Sequence, residues 1–322
     1  MQSYWIVPTA TGVALEQRDV PRPEPKEGQL LVAVKATSFN RGEMLVGRGT
    51  HAPAAKTAGG DCAGEVSAIG PGVAGFTVGE RVMGRCAGGF AEYATMDARE
   101  ALRVPARLSW DQAAAIPLSF MVVHDMLVTH GHLAPGEWLL ITGVSSGVGV
   151  AALQVAKLMG AKVVGTSGSA EKLSKLEKLG LDVGVRTRST GFHEPAMQAT
   201  GGKGVNLVVN NVGGTVFAEC MRCLAYEGRF ATVGYLDRTL TAEIDIAALH
   251  AKRLNLFGVS NKLRSPEQRA ETVRAFEKDF LPYFADGRLS PEIDRVFEFA
   301  DVPAAHAYFD SNAMIGKVVV RL

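Results

Sequence analysis

The segment "WLLITGVSSGVGVAALQVAKLMGAKVVGTSG", Trp138 to Gly168, carries the most legible chemistry in this chain of 322 residues. An apolar strand runs into a turn where Gly147 and Gly149 remove side-chain bulk and Ser146 adds a small hydroxyl donor. Backbone N–H groups at a helix start lack partners and lie at the positive end of the helix dipole, so an unobstructed turn of this kind holds an anion. In the G-x-G-x-x-G frame of dinucleotide sites the three positions are Val144, Ser146 and Gly149. Serine at 146 then replaces the glycine that lets a pyrophosphate approach, contributing a hydrogen bond instead. The same glycines would also suit a buried strand-to-helix turn with no ligand.

The residues after the next strand choose between cofactors. An NAD site places an acid there, to accept hydrogen bonds from the ribose 2′-hydroxyl. Lys162 to Ala170 contains neither Asp nor Glu; Ser167, Ser169 and Lys172 follow that strand, and Arg186 and Arg188 follow the third. Hydroxyl and cationic donors suit a 2′-phosphate, which predicts NADPH. The competing reading leaves Lys172 and both arginines on solvated faces.

Metal chemistry finds little support. Cys220-Met-Arg-Cys223 has a metal-like spacing but sits in the helical stretch "TVFAECMRCLAYEG" without a second ligand pair, which predicts a packed helix face. His130-Gly-His132 reads as an exposed helix end, and His124 in "LSFMVVHDML" as either a proton donor or a packed side chain. The expectation is a protein without metal.

These residues need a scaffold, and the texture of the chain supplies one. From Trp5 to about Arg107, short apolar runs broken by Gly and Pro predict an irregular β-barrel. From about Ser109, strands alternate with helices: Trp138 to Thr142, Lys162 to Thr166, Val183 to Val185, Asn206 to Val212, Arg229 to Val233 and Leu254 to Val259. Six such strands imply a doubly wound parallel sheet of the α/β class. In the helix after the loop, Val148, Ala152, Val155 and Met159 fall on one face, the side expected against the sheet. Trp138 to Ala156 is uncharged over a membrane-spanning length, but its glycines, Thr142, Ser145, Ser146 and Gln154 favour a buried strand and helix.

Composition agrees with a small-molecule partner. With 34 basic and 33 acidic residues the net charge is +1, which provides no global footprint for nucleic acid or an anionic membrane. Four cysteines are too few for a disulfide framework, and "MQSYWIVPTATG" has no basic stretch followed by an apolar run; a cytoplasmic location is expected.

Several segments in order, "GGDCAGEVSAIGPGVAGFTVGERVMG", "GGFAEYATM", "GVSSGVGVAALQVAKLMGAKVVGT", "NNVGG", "GRFATVG" and "IGKVVVRL", resemble the medium-chain dehydrogenase/reductase superfamily across nearly the whole chain. The likeness is to its zinc-independent quinone oxidoreductase branch, which includes the zeta-crystallins. It implies a GroES-like β-barrel catalytic domain plus a Rossmann sheet, divided as 1–115, 116–285 and 286–322, with the last segment rejoining the first. It also implies a cleft where nicotinamide meets substrate. In the branch's own frame the loop positions are Gly143, Ser146 and Gly149. Matching segments imply cofactor contacts at Asn40, Ser146, Gly147, Val148, Ser167, Lys172, Arg188, Asn211, Val233, Gly234, Gly258 and Asn312. A tyrosine near the adenine is replaced by Thr187.

In the zinc-dependent branches, the metal ligands correspond to Asn40 and to the Gly59-Gly60-Asp61 segment, which cannot form an N/S zinc site. The resemblance therefore implies hydride transfer from NADPH to a quinone, with conjugated enals, enones or enoyl thioesters as the nearest alternative. A non-catalytic NADPH-binding or RNA-binding crystallin-like role is the alternative of another class. Asn40 is the polar candidate for catalysis, although "NRGE" also reads as a helix start with Asn40 as N-cap and Glu43 at N3. Leu45 and Val122 replace a tyrosine and a threonine of related pockets. A homodimer through the sixth strand is expected.

Overall fold

The middle of the chain forms six parallel strands, Val183–Arg186, Lys162–Ser167, Trp138–Thr142, Val205–Asn210, Leu224–Thr232 and Asn255–Gly258, adjacent in that order. In sequence this is 3-2-1-4-5-6, a Rossmann-type doubly wound sheet whose winding reverses beside Trp138–Thr142. Leu140, Ile141, Val163 and Val208 are fully buried, because helices cover both faces of such a sheet; that is why these strands read as continuous apolar runs. This computed structural model describes residues 1–9, 12–44 and 55–322.

Two strand ends differ from the sequence reading. The fourth strand stops at Asn210 instead of Val212, because Asn210 and Asn211 turn their side chains to neighbouring backbone. The fifth begins at Leu224, directly after the helix Phe217–Cys223. The helix Gly147–Leu158 buries Gly149 to Leu153, Val155 and Ala156, whereas Val148 and Met159 are only half-buried. The expected single stripe is thus replaced by burial on most faces, as a nearly uniform run of small apolar residues allows. The uncharged stretch from Trp138 is a strand followed by this helix, and no described helix is long and apolar enough to cross a membrane.

Two units divide the chain: Met1–Met121 with Ser265–Leu322, and Val122–Arg264. The sequence reading set these limits at 115/116 and 285/286. The helices Pro266–Asp279 and Leu281–Asp286 belong to the first unit because their side chains are fastened there. Arg269 donates to the buried Glu100 at 2.7 Å, Arg99 pairs with Glu267 at 2.9 Å, and Phe284 meets Phe120 edge-on at 4.9 Å.

The first unit is built on a mainly antiparallel sheet in the order Ile293–Glu298, Lys317–Arg321, Gln29–Ser38, Asp61–Ile69, Arg81–Arg85 and Ala101–Arg103, with Tyr93–Asp97 also paired to Gln29–Ser38. A three-stranded sheet, Val13–Asp19, Gln2–Pro8 and Lys56–Thr57, lies beside it in the chain's early part. The last strand pairs Val319 with Ser38, so the end of the chain is stitched to the segment that leads into Asn40. That pairing brings Lys317 beside Phe39 and Asn40.

Candidate functional site

In the second unit, the Trp138–Thr142 strand ends in a turn at Gly143, whose φ of 63° favours glycine. Ser146 caps the following helix: its Oγ accepts the Gly149 N–H at 3.1 Å. The serine expected to donate toward phosphate thus accepts within the loop, which leaves its hydroxyl proton uncommitted by that bond. A side chain at 149 would begin 2.6 Å from the Gly143 carbonyl oxygen and 2.7 Å from that of Val144, so glycine is required for the close turn. The first-turn amides of Gly147 and Val148 have no intrahelical acceptor, the arrangement a pyrophosphate oxygen fits.

The other expected contacts of this unit gather at the carboxyl ends of the strands, where doubly wound folds bind ligands. Val233 and Gly234 follow the fifth strand, their N–H groups directed to the Asn210 carbonyl at 3.0 and 3.3 Å, and Gly258 closes the sixth with no atom within 4 Å of its missing side chain. Asn211 also has a structural task within the unit. Its side-chain nitrogen donates to the Thr142 carbonyl at 3.0 Å and its backbone N–H to Thr142 Oγ1 at 3.0 Å, while Thr142 Oγ1 donates to Asn210 Oδ1 at 3.0 Å. This buried latch ties the first strand end to the fourth. The "NN" pair was its only sequence signal.

At the second strand end, Ser167 is buried with its Oγ 3.4 Å from Ser145 Oγ, and Ser169 caps the helix Ala170–Glu177 by accepting from the Lys172 N–H at 3.3 Å. Arg188 lies across Gly168: a side chain at 168 would begin 2.6 Å from Arg188 Cγ and 2.7 Å from its Nε. An exposed cation therefore stands just past the second strand, and Lys172, half-buried, lies in the first turn of the helix that follows. The segment after Arg188 is anchored by Glu219, which sequence reasoning missed. Its buried carboxylate accepts the N–H groups of Gly191, Phe192 and His193 at 2.7–2.9 Å. Nothing in a lone glutamate of an apolar helix signals that it gathers a loop some 27 residues away.

In the first unit, Asn40 leads into the short helix Arg41–Met44, but the expected capping box is absent. Its Oδ1 accepts from Lys317 Nζ at 2.8 Å in place of the Glu43 N–H. Its Nδ2 donates to Glu43 Oε1 at 3.0 Å, to Asp61 Oδ1 at 3.0 Å and to the Ser38 carbonyl at 3.3 Å. A buried ammonium competes better for an amide oxygen than a backbone N–H does. Asp61 also accepts from Ser38 Oγ and the Leu118 N–H, and Lys317 also donates to the Phe39 carbonyl. Burial, reinforced by the Asp61 charge, pushes the Glu43 carboxyl up to about 7 against the pull of Asn40 and Lys317. Burial also raises Asp61 and lowers Lys317.

Asn312, at φ 55°, is held by Arg41, which donates to its Oδ1 at 2.9 Å, pairs with Asp310 at 2.7 Å and stacks over Phe309. His124 is buried with Nδ1 3.5 Å from Thr129 Oγ1, Val122 is half-buried, and Leu45 lies outside the described residues. Cys220 and Cys223 are fully buried on their helix; burial pushes the Cys223 thiol up to about 12. His130 and His132 are exposed.

The family profile described as zinc-binding dehydrogenase matches residues 147–278, and that described as alcohol dehydrogenase GroES-like domain matches residues 26–106. A mycobacterial protein solved in complex with NADPH superimposes with a TM-score of 0.90 at 26% identity, covering 100% of both chains. The chain belongs to the medium-chain dehydrogenase/reductase superfamily. The CurK enoyl reductase structure is another superfamily likeness, with a TM-score of 0.82 at 26% identity over 95% of each chain. A phenolphthiocerol/phthiocerol polyketide synthase of Mycobacterium tuberculosis is 32% identical over 312 residues, 96% of this chain. The chain spans only 14% of that protein's length.

The two groups this superfamily uses meet different receptions here. NADPH fits: an open helix start for the pyrophosphate and Arg188, Lys172 and Ser167 at the second strand end for the 2′-phosphate. NADPH is the dinucleotide in the mycobacterial neighbour's complex. Zinc does not fit: among the described residues no group of three or more His, Cys, Asp and Glu side chains could hold a metal ion. At 40, 60 and 61 stand an amide, a glycine and a carboxylate already engaged by Ser38 and Asn40.

Proposed function

We propose that this oxidoreductase reduces a carbon–carbon double bond conjugated to a carbonyl, of the enal, enone or enoyl thioester class, with NADPH and without zinc. The strand-end geometry carries the reading: a bare loop at Gly143 to Gly149 for the pyrophosphate, and Arg188 laid across Gly168 for the 2′-phosphate. When bound, the dinucleotide supplies a hydride. The chain's own contribution is to orient it and exclude water, which suits an acceptor that is already electrophilic. Likeness to an enoyl reductase supports the alkene, and likeness to a mycobacterial quinone oxidoreductase, with a TM-score of 0.85 at 25% identity, keeps the quinone implied first by the sequence as the second reading. Asn40 is the candidate catalytic amide of this reading, held by Lys317, and Asn312 is held by Arg41.

Steady-state oxidation of NADPH and NADH with 2-enoyl thioesters, enones and quinones tests it. The expected result is turnover of alkenes with NADPH preferred. Arg188→Ala should raise the KM for NADPH about tenfold, one charge-assisted bond to phosphate, and leave that for NADH unchanged. Greater efficiency with NADH would overturn the phosphate argument, quinone-only turnover would restore the first acceptor, and tight NADPH binding without turnover would favour a binding protein.

We also propose a homodimer in which the outer edge of Asn255–Gly258 pairs with a second copy. This strand ends the sheet order, and an open apolar edge needs cover; Leu240 and Ile246, from the segment between the fifth and sixth strands, are 74% and 67% exposed. Sedimentation at micromolar concentration should give twice the chain mass of 34.2 kDa. A species of single-chain mass throughout would refute the dimer.

A further inference from the structure

The Glu43 carboxyl is oddly placed for a residue of a short surface helix. Its Oε2 is shielded from solvent and has no hydrogen-bond partner among the described residues. Its Oε1 lies 2.7 Å from where a side chain on Gly60 would begin, so the absence of one at 60 makes room for the carboxyl. Among the described residues the titratable and charged groups around it are Asp61 and Lys317, and the buried thiol of Cys86, itself hydrogen-bonded to the free thiol of Cys62, feels both acids. Two carboxylates and one ammonium give this cluster a charge of −1, which one proton neutralises. Asp61 has three donors among the described residues, Ser38, Leu118 and Asn40, against two for Glu43, Asn40 and the Gly60 backbone, and Glu43 Oε2 has none, so the proton belongs on Glu43.

The partners of Asn40 make that proton consequential. Nδ2 has two protons, and the carboxylates at 3.0 Å on Glu43 and Asp61 take both when ionised, while Lys317 holds Oδ1 from the other end. Protonation turns Glu43 into a weaker, neutral acceptor and introduces an O–H donor beside an N–H donor. We propose that Glu43 is a positioning residue for Asn40: ionised, it locks the Asn40 amide in place, and proton uptake releases the lock, so the cluster couples turnover to pH. The coupling to turnover rests on the reading of Asn40 as part of the reaction site.

Two measurements separate the inference from that reading. The Asn40 side-chain 15N–1H signal of the wild-type protein, assigned by its loss in Asn40→Asp, should titrate once, with a midpoint of about 7, the value to which Glu43 is pushed. Glu43→Gln should abolish the titration. Wild-type kcat should rise about fivefold through the same midpoint, the difference between a charged and a neutral acceptor. Glu43→Gln should stay at the low-pH level at every pH, and Glu43→Asp should regain a pH-dependent kcat. A wild-type Asn40 signal that does not titrate overturns the proposal whatever turnover does, and needs no variant to fold. A titrating signal with pH-independent turnover overturns the coupling and removes Asn40 from the reaction site. Absence of turnover with every acceptor sinks the reductase reading, while the amide titration still decides the lock.

Discussion

Lys317→Met should destabilise the protein by about 3–5 kcal/mol at pH 7.5, the cost of leaving buried charge uncompensated. Lys317 is 5% exposed, and its ammonium is the cation facing both Asp61 and Glu43. Methionine matches the stem but returns none of the bonds to Asn40 Oδ1 and the Phe39 carbonyl. The penalty should shrink on acidification. Glu43 has a folded-state pKa raised to about 7 from 4.5, so between those values the folded state holds a proton that the unfolded chain has lost. Its contribution is therefore present at low pH and lost as pH rises through about 7. Removing the ammonium raises both carboxyls further, so the variant should recover more stability than wild type on going from pH 7.5 to 5.5. Urea denaturation at the two pH values measures both effects. A loss under about 1 kcal/mol at pH 7.5, or a deficit that grows with acid, would mean the cluster does not hold the charges assigned to it.

That cluster also marks the limit of what the sequence disclosed. The sheet was legible because buried parallel strands such as "WLLIT" and "VNLVVN" are uninterrupted apolar runs, and the turn between the first strand and helix carries glycines whose spacing has a steric cause. Arg188 was legible because an acid is missing from a short, fixed interval after the loop. Asn40 was visible as a polar residue, but its partners were not. Asp61 and Lys317 are separated from it by 21 and 277 positions, and only the pairing of the last strand with Gln29–Ser38 brings the lysine close. "NRGE" favoured a local capping box because local spacing is all a sequence shows; the distant ammonium displaced it. Glu219 and the Asn211 latch escaped for the same reason.

Gly149→Val should weaken NADPH binding about 100-fold, a loss of about 2.7 kcal/mol. The added Cβ would start 2.6 Å from the Gly143 carbonyl oxygen and 2.7 Å from that of Val144; both are backbone atoms, so neither can swing aside as a flexible side chain would. The turn must open or the helix start must retreat, and either movement takes the amides of Gly147 and Val148 out of register with the pyrophosphate. Ser146→Gly separates this steric effect from the cap. It deletes the 3.1 Å bond to the Gly149 N–H without adding bulk, and glycine at an N-cap costs only about 0.3 kcal/mol, so its affinity should stay within about twofold of wild type. NADPH titration by calorimetry gives both values, with thermal unfolding of the unliganded variants as a check that the second unit remains folded. If the folded valine variant binds NADPH normally, the loop does not hold the phosphates and the cofactor's anchor must lie elsewhere along the strand ends. If the glycine variant also loses binding, the serine hydroxyl itself meets the phosphate, and its proton, left uncommitted by the cap, is the missing donor.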